Sequence, residues 1–203
     1  MCALIVCYTK PMEEAEEVVK PIRDFGSPML DLLGPIPYPA LQQLFDTLLP
    51  PGLQHYWKAD FVKELTDEAI EIHVKQGPKI PTVESVMHIY PLSGAVHRVG
   101  KDETAFSYRD VEFVHIISAV YPDPKDSPRN TAWVREYWSA LHPYSAEGSY
   151  VNFMMHEEEE RIKATYRENY GRLVEIKNKY DPTNLFHMNQ NIKPCNGHLD
   201  HPF

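Results

Sequence analysis

The sequence predicts an α+β fold, an antiparallel sheet with helices packed over one face. Two observations carry this. Apolar or alternating runs at 3–9, 54–62, 84–91, 111–121 and 149–154 read as strands. Runs with apolar residues at helical spacing lie between them without strict strand–helix–strand alternation, which favours an antiparallel sheet over a doubly wound parallel one.

Each element has its own justification. "ALIVCYT" at 3–9 is apolar, β-branched and stopped by Lys10-Pro11, so a buried strand is expected. Ala15, Val18, Val19 and Ile22 then recur at helical spacing, flanked by Glu13, Glu14, Glu16 and Glu17. Acids in the first turns suit the helix dipole, and Phe25-Gly26 ends the helix. In the proline-punctuated stretch that follows, Pro39 opens a short helix carrying Leu41, Leu44, Phe45 and Leu48. "QHYWKADFV" (54–62) is a strand. Thr66 caps a helix that runs to about Lys75, and Gly77 stops it.

"VESVMHIYPL" alternates Val86, His88 and Tyr90 against Ser85, Met87 and Ile89, so it is a strand with two unlike faces. "VEFVHIISAVY" (111–121) is a long, mostly apolar strand. Ser127-Pro128 opens a helix bearing Trp133, Val134, Tyr137, Trp138 and Leu141. "GSYVNFM" (148–154) reads as a last strand. Residues 157–179 form one long helix or two abutting ones, with Ile162, Tyr166, Tyr170, Leu173 and Ile176 turned inward. Asp181-Pro182 ends it.

Composition narrows the function. A formal charge of −9 over 203 residues argues against nucleic acid or an anionic membrane as partner. Three cysteines, Cys2, Cys7 and Cys195, contain no CxxC, so neither a disulfide scaffold nor a zinc module is indicated. The N-terminus lacks a basic n-region, and no run approaches a membrane span, which fits a cytoplasmic chain.

Several motifs fail. "HEEEE" at 156–160 has Glu160 where a zinc helix needs its second histidine. His187, His198, His201 and Cys195 are irregularly spaced and form no closed ligand set, so no metal is expected. GxGxxG, GxxxxGK[ST] and GxSxG do not occur. Tyr150 and Asn152 remain, two apart and therefore on one face if the chain is a strand. A phenol beside an amide suits a polar pocket, and a phenol can take a substrate proton. The plain alternative is an edge-strand face. Asn189 and Asn191 are also two apart and point the same way in extended chain, or else satisfy local backbone. His88 and Tyr90, on the half-polar strand, are candidates for substrate binding; a satisfied core histidine is the plain reading of His88.

At these residues the sequence resembles a known family. "SYVNFM" followed by "YRENYGRLVEIKNKYDPTNLFHMNQNI" resembles the C-terminal berberine-bridge-enzyme-like segment of the FAD-linked oxidases, the superfamily of vanillyl-alcohol oxidase and p-cresol methylhydroxylase. The elements Y-x-N-F, N-Y-x-R-L-V-x-[IL]-K, Y-D-P-x-N-L-F and N-Q-N-I occur in the family's order. Upstream, "SGAVHRV" (93–99) looks like its G-G-A-v-x-R-v hairpin, with Ser93 for the first glycine, and "TAFSYRD" (104–110) like its A-F-x-x-R segment. The likeness covers nearly all of residues 1–194.

The resemblance implies a substrate-binding α+β domain over 1–148, a berberine-bridge-enzyme-like segment over 149–194 and a tail over 195–203. It implies FAD as cofactor, a small-molecule substrate, Tyr150 as the base or its neighbour, and Asn152, Asn189 and Asn191 near the flavin. The apolar residues among those amides would anchor the segment. A base would take a proton from a substrate hydroxyl or amine while hydride passes to the flavin. The family's flavin-binding domain, with its pyrophosphate loop and covalent histidine and cysteine attachments, has no counterpart in the chain. A split enzyme with a separate flavin-binding subunit, a truncated gene and a domain reused for binding all stay open, and so does the substrate. An exposed apolar face, also able to drive self-association into a homo-oligomer, is expected where a flavin domain would sit.

Overall fold

The structure, a computed structural model, describes residues 2–155 and 159–195. The chain divides into two compact units, Met1–Thr47 and Leu48–Phe203. In the first, α1 (Met12–Arg23) carries Glu13 and Glu14 in its first turn and Lys20 and Arg23 in its last, each matched to the dipole. The Arg23 guanidinium donates to the Leu33 carbonyl at 2.7 Å and pairs with Asp31 at 3.0 Å, folding residues 31–33 back onto the helix. The proline-opened helix is only α2 (Tyr38–Gln42), and turns follow it. The expected strand at 3–9 does not form. Among the described residues the regular structure of this unit is helical, so no strand among them offers a hydrogen-bonding edge, and Leu4 and Ile5 are exposed.

The second unit holds the sheet: β1 (Gln54–Val62), β2 (Val86–Pro91) and β3 (Phe113–Tyr121), antiparallel in the order β1-β3-β2. β3 is central, and its near-continuous apolar character follows from burial on both faces. Register opposes Ala59 and His88 to Ile116, and Lys58 and Met87 to Ile117. One face is covered by helices, as expected. Ile117, Ala119 and Tyr121 pack against Trp133, Val134, Tyr137 and Leu141 of α5 (Ser127–Leu141), and against Ala69 of α3 (Asp67–Gln76). Burying each of the larger of these side chains is worth about 1.5–3 kcal/mol. Thr66 caps α3 by accepting the Ala69 N–H.

The opposite face is covered by loops. Phe61 and Val114 pack with Tyr108, Val111 and Ala146, and Phe106, Tyr150 and Phe153 lie against them. Phe61 and Tyr108 stack at 4.4 Å. The chain at 146–148 runs alongside β1: Ala146 N–H donates to Phe61 O at 2.7 Å, and Phe61 N–H to Gly148 O at 3.0 Å. A Cβ at residue 148 would lie 2.2 Å from the Tyr108 hydroxyl, so any residue other than glycine would force the ring to shift.

Beyond 148 the expected strand is replaced by a 3-10 turn at Val151–Phe153. Contacts from afar bend the chain here. The buried Ser149 N–H donates to Thr165 Oγ1, and the Tyr150 ring sits edge-on to Phe106 and Phe153. Residues 93–99 form no hairpin either; Gly94 takes φ 61 and opens the short α4 (Ala95–Arg98). His97 and Arg109 pin it, through hydrogen bonds to Val111 O and from Arg109 to Val96 O.

The long C-terminal helix is two, α6 (Glu159–Tyr166) and α7 (Asn169–Tyr180). Arg167 breaks it with φ 48, held by Asp110 at 2.7 Å and by the Tyr108 ring at 3.5 Å. Only part of the expected inward stripe is buried: Ile162 is, whereas Ile176 is exposed. Among the described residues no helix is long and apolar enough to cross a membrane, and no three His, Cys, Asp or Glu side chains gather as a metal site.

Candidate functional site

An open cleft of about 920 Å³ lies where the 150–155 turn, α6 and the 187–193 segment meet β1. Its walls are Trp57, Met154, Met155, Met188 and Ile162 on the apolar side, with Asn152, Asn189, Gln190 and Asn191 supplying amides. Trp57 fastens the turn to the sheet. Its indole N–H donates to Phe153 O at 3.0 Å, and its backbone N–H meets Met155 Sδ at 3.2 Å. Gln190 fastens the other wall, its amide donating to Met154 O and Met155 O at 2.9 and 3.1 Å.

Tyr150 and Asn152 do meet, through the turn rather than along a strand: Asn152 Nδ2 donates to Tyr150 OH at 2.7 Å. The phenol oxygen thus has a donor in place for any negative charge that develops on it, while its own hydrogen stays available to another acceptor. Asn152 also lines the cleft. His88 and Tyr90 form a second pair, His88 Nδ1 to Tyr90 OH at 2.6 Å. Burial lowers the His88 imidazole and raises the Tyr90 phenol, so both are neutral near pH 7. Phe153 lies between the pairs, 5.1 Å from the Tyr150 ring and 5.7 Å from that of Tyr90.

Asn189 and Asn191 both reach the cleft but do not project in parallel from extended chain. Asn189 adopts φ 58, and the Asn191 N–H donates back to Asn189 O at 3.0 Å, a tight turn about Gln190. The positive φ is one that asparagine tolerates better than most residues. Asn191 Oδ1 is buried and has no hydrogen-bond partner.

Within this chain nothing covers most of the apolar residues of this segment. Leu185, Phe186 and Met188 are 71%, 77% and 79% exposed. Polar groups hold the chain instead. Asp181 accepts the Leu185 and Phe186 N–H groups at 2.7 and 3.0 Å, and Lys177 bonds both Asp181 and Phe186 O. His187 Nδ1 hydrogen-bonds to the carbonyls of Asn184 and Leu185, so it serves the local backbone. His156, His198 and His201 lie outside the described residues, as does most of the 195–203 tail.

Sequence reasoning missed Trp57, Phe153, Met154, Met155 and Gln190. Only Gln190 had a local signal, its place between two asparagines. Trp57 meets its carbonyl partner across 96 residues, a distance over which no local pattern reports.

The chain is similar to several known proteins. Residues 149–193 match the family model described as "Berberine and berberine like". An FAD-linked oxidoreductase of Dictyostelium discoideum is 31% identical over 193 residues, 94% of this chain and 42% of that protein. The FAD-linked oxidoreductase YvdP of Bacillus subtilis is 33% identical over 189 residues, 89% of this chain and 41% of that protein. Among solved structures, berberine bridge enzyme from Eschscholzia californica superposes with a TM-score of 0.64 at 19% identity, covering 76% of this chain and 36% of that one. A glycopeptide hexose oxidase complexed with teicoplanin gives 0.61 at 21%, covering 70% and 33%. The chain spans about two-fifths of the length of these curated relatives. It corresponds to a portion of the berberine-bridge-enzyme-like FAD-linked oxidoreductases, and residues 149–193 are its berberine-like segment.

Proposed function

We propose that these residues form the substrate side of an FAD-dependent oxidoreductase, with Tyr150 as the group that takes a proton from a substrate hydroxyl or amine. The observation that carries this reading is the 2.7 Å hydrogen bond from Asn152 to the Tyr150 oxygen, beside a cleft that Asn152 itself lines. The group that takes the proton is the phenolate form of Tyr150, its own hydrogen having first passed to solvent. The Asn152 amide donates to that oxygen, holds its charge before transfer and fixes its direction. His88 and Tyr90, neutral and mutually bonded, orient a polar substrate group from across Phe153.

The cleft residues fit one edge of a flavin. Trp57, Met154, Met155 and Met188 give apolar walls, and the unpartnered Asn191 Oδ1 supplies an acceptor in need of a donor. Asn152, Asn189 and Asn191 would hold that edge. FAD, when bound there, supplies the hydride acceptor. Lys193, the cation on the cleft wall, is already paired with Glu159 at 2.7 Å. The phosphate end is therefore assigned to a flavin-binding domain, in the same polypeptide or a separate one.

The test is single-turnover flavin reduction in an assembly that includes a loaded flavin-binding domain. Tyr150→Phe is expected to slow reduction by about 10²–10⁴-fold, the usual worth of a general base, while circular dichroism stays unchanged. Reduction at the parent rate would remove Tyr150 from this role.

A further inference from the structure

On the helix-covered face, away from the cleft, two histidines face one small void. His115 of β3 is 2% exposed, and His73 of α3 lies with its ring 6.2 Å away and nearly perpendicular. His73 Nδ1 is bonded to Tyr137 OH at 2.8 Å. The Nε2 atoms of both rings are buried and have no hydrogen-bond partner. Val62, Leu65, Ala69 and Leu141 close the void with Tyr144 and Ser145. Two polar atoms without partners in an apolar setting are a standing cost, and one that grows if either ring takes a proton.

α3 holds the sheet lightly. Ala69 is its one buried residue and Ile72 packs half-buried against the same core, while Ile70 and Val74 are exposed. His73, one turn after Ala69, is its polar contact with α5. We propose that His73 and His115 form a proton-operated latch: below neutral pH their protonation lifts α3 from the sheet and wets both rings, while β1, β3 and α5 stay folded.

The surrounding charges favour release. The carboxylate nearest in the register is Asp60, opposite His115, and it already takes His142 at 2.7 Å and Arg161 at 3.1 Å. Those two groups offset its charge, and His142 adds to the repulsion of a proton on His115. Lys58 lies over the Trp138 ring of α5, and β2 presents Ile89 opposite His115. From α5 and the turn after it come the phenols Tyr137 and Tyr144, and α3 itself adds Asp67, Glu68, Glu71 and Lys75.

Burial lowers the His115 imidazole to about 3 and pushes that of His73 below its ordinary value of 6.5. The closed state therefore binds fewer protons than the open one. Closure is fully favoured above the open-state value and is lost progressively as pH falls below it.

Amide hydrogen exchange, corrected for intrinsic rates, tests this at pH 7.5 and 5.5. The opening equilibrium of α3 should rise about 10-fold from His115, whose closed-state value lies far below 5.5, and by more than that if His73 contributes, since pH 5.5 lies one unit below 6.5. α5 should change far less, and the double variant His73→Gln/His115→Leu should flatten the response. Should that variant not fold, the imidazole resonances of the parent decide: both rings should charge in step with α3 exchange. Unchanged α3 exchange, an equal rise in α5, a response that survives the double variant, or rings that charge without α3 opening would each overturn the latch.

Discussion

Against one face of the sheet, α5 lays Val134, Tyr137 and Leu141 on Ile117, Ala119 and Tyr121, with side chains buried on both sides of the contact. Against the other, loops cover Phe61 and Val114 and then give way to an open cleft. The first face is held by apolar burial. The second is held at its margin by single polar tethers: Trp57 to Phe153, Gln190 to two carbonyls, Asp181 to two N–H groups. Large apolar groups near those tethers, Leu185, Phe186 and Met188, stay in solvent. On the function proposed above, the finished face is scaffold and the tethered face is the one that works. Loose polar fastening lets a segment adapt to a ligand, whereas a close-packed core does not.

Substitutions can break this comparison in graded steps. Gly148→Ala should cost about 3 kcal/mol, because its Cβ would meet the Tyr108 hydroxyl and ring at 2.2–2.6 Å. Urea denaturation reads it, and a cost below about 1 kcal/mol would mean the aromatic stack yields easily. Leu141→Ala, in the finished face, should cost about 2–5 kcal/mol in the same measurement. Gln190→Ala should cost only about 1 kcal/mol globally while raising protease cleavage within 184–193, because it frees one wall of the cleft. Leu185→Ala and Phe186→Ala should lie within about 0.5 kcal/mol of the parent. A loss of about 2 kcal/mol or more at Phe186 would show that the segment is packed after all.

What could be read from the sequence divides along similar lines. Thr66, Pro128 and the runs at 54–62 and 111–121 signal locally, through caps, fixed φ and periodicity, and the structure forms those elements nearly where expected. The run at 149–154 also alternates, but Thr165 and Phe106 decide its shape from a distance. An i, i+2 spacing brought Tyr150 and Asn152 together in a 3-10 turn although the expected strand was wrong. Spacing alone left the conformation ambiguous there. The apolar residues at 185–188 are a further case: hydrophobicity states a demand for cover but not what supplies it. At 3–9 the same demand goes unmet by any strand of its own unit.

The most direct test of the two-face account is a hydrogen-exchange footprint of the chain with and without an FAD-loaded flavin-binding domain of the family. Protection is expected to appear at 150–155 and 184–193, with α5 unchanged because its amides are already closed. Protection confined to α3 and α5, with the cleft segments exchanging as before, would contradict the assignment of the tethered face as the working one.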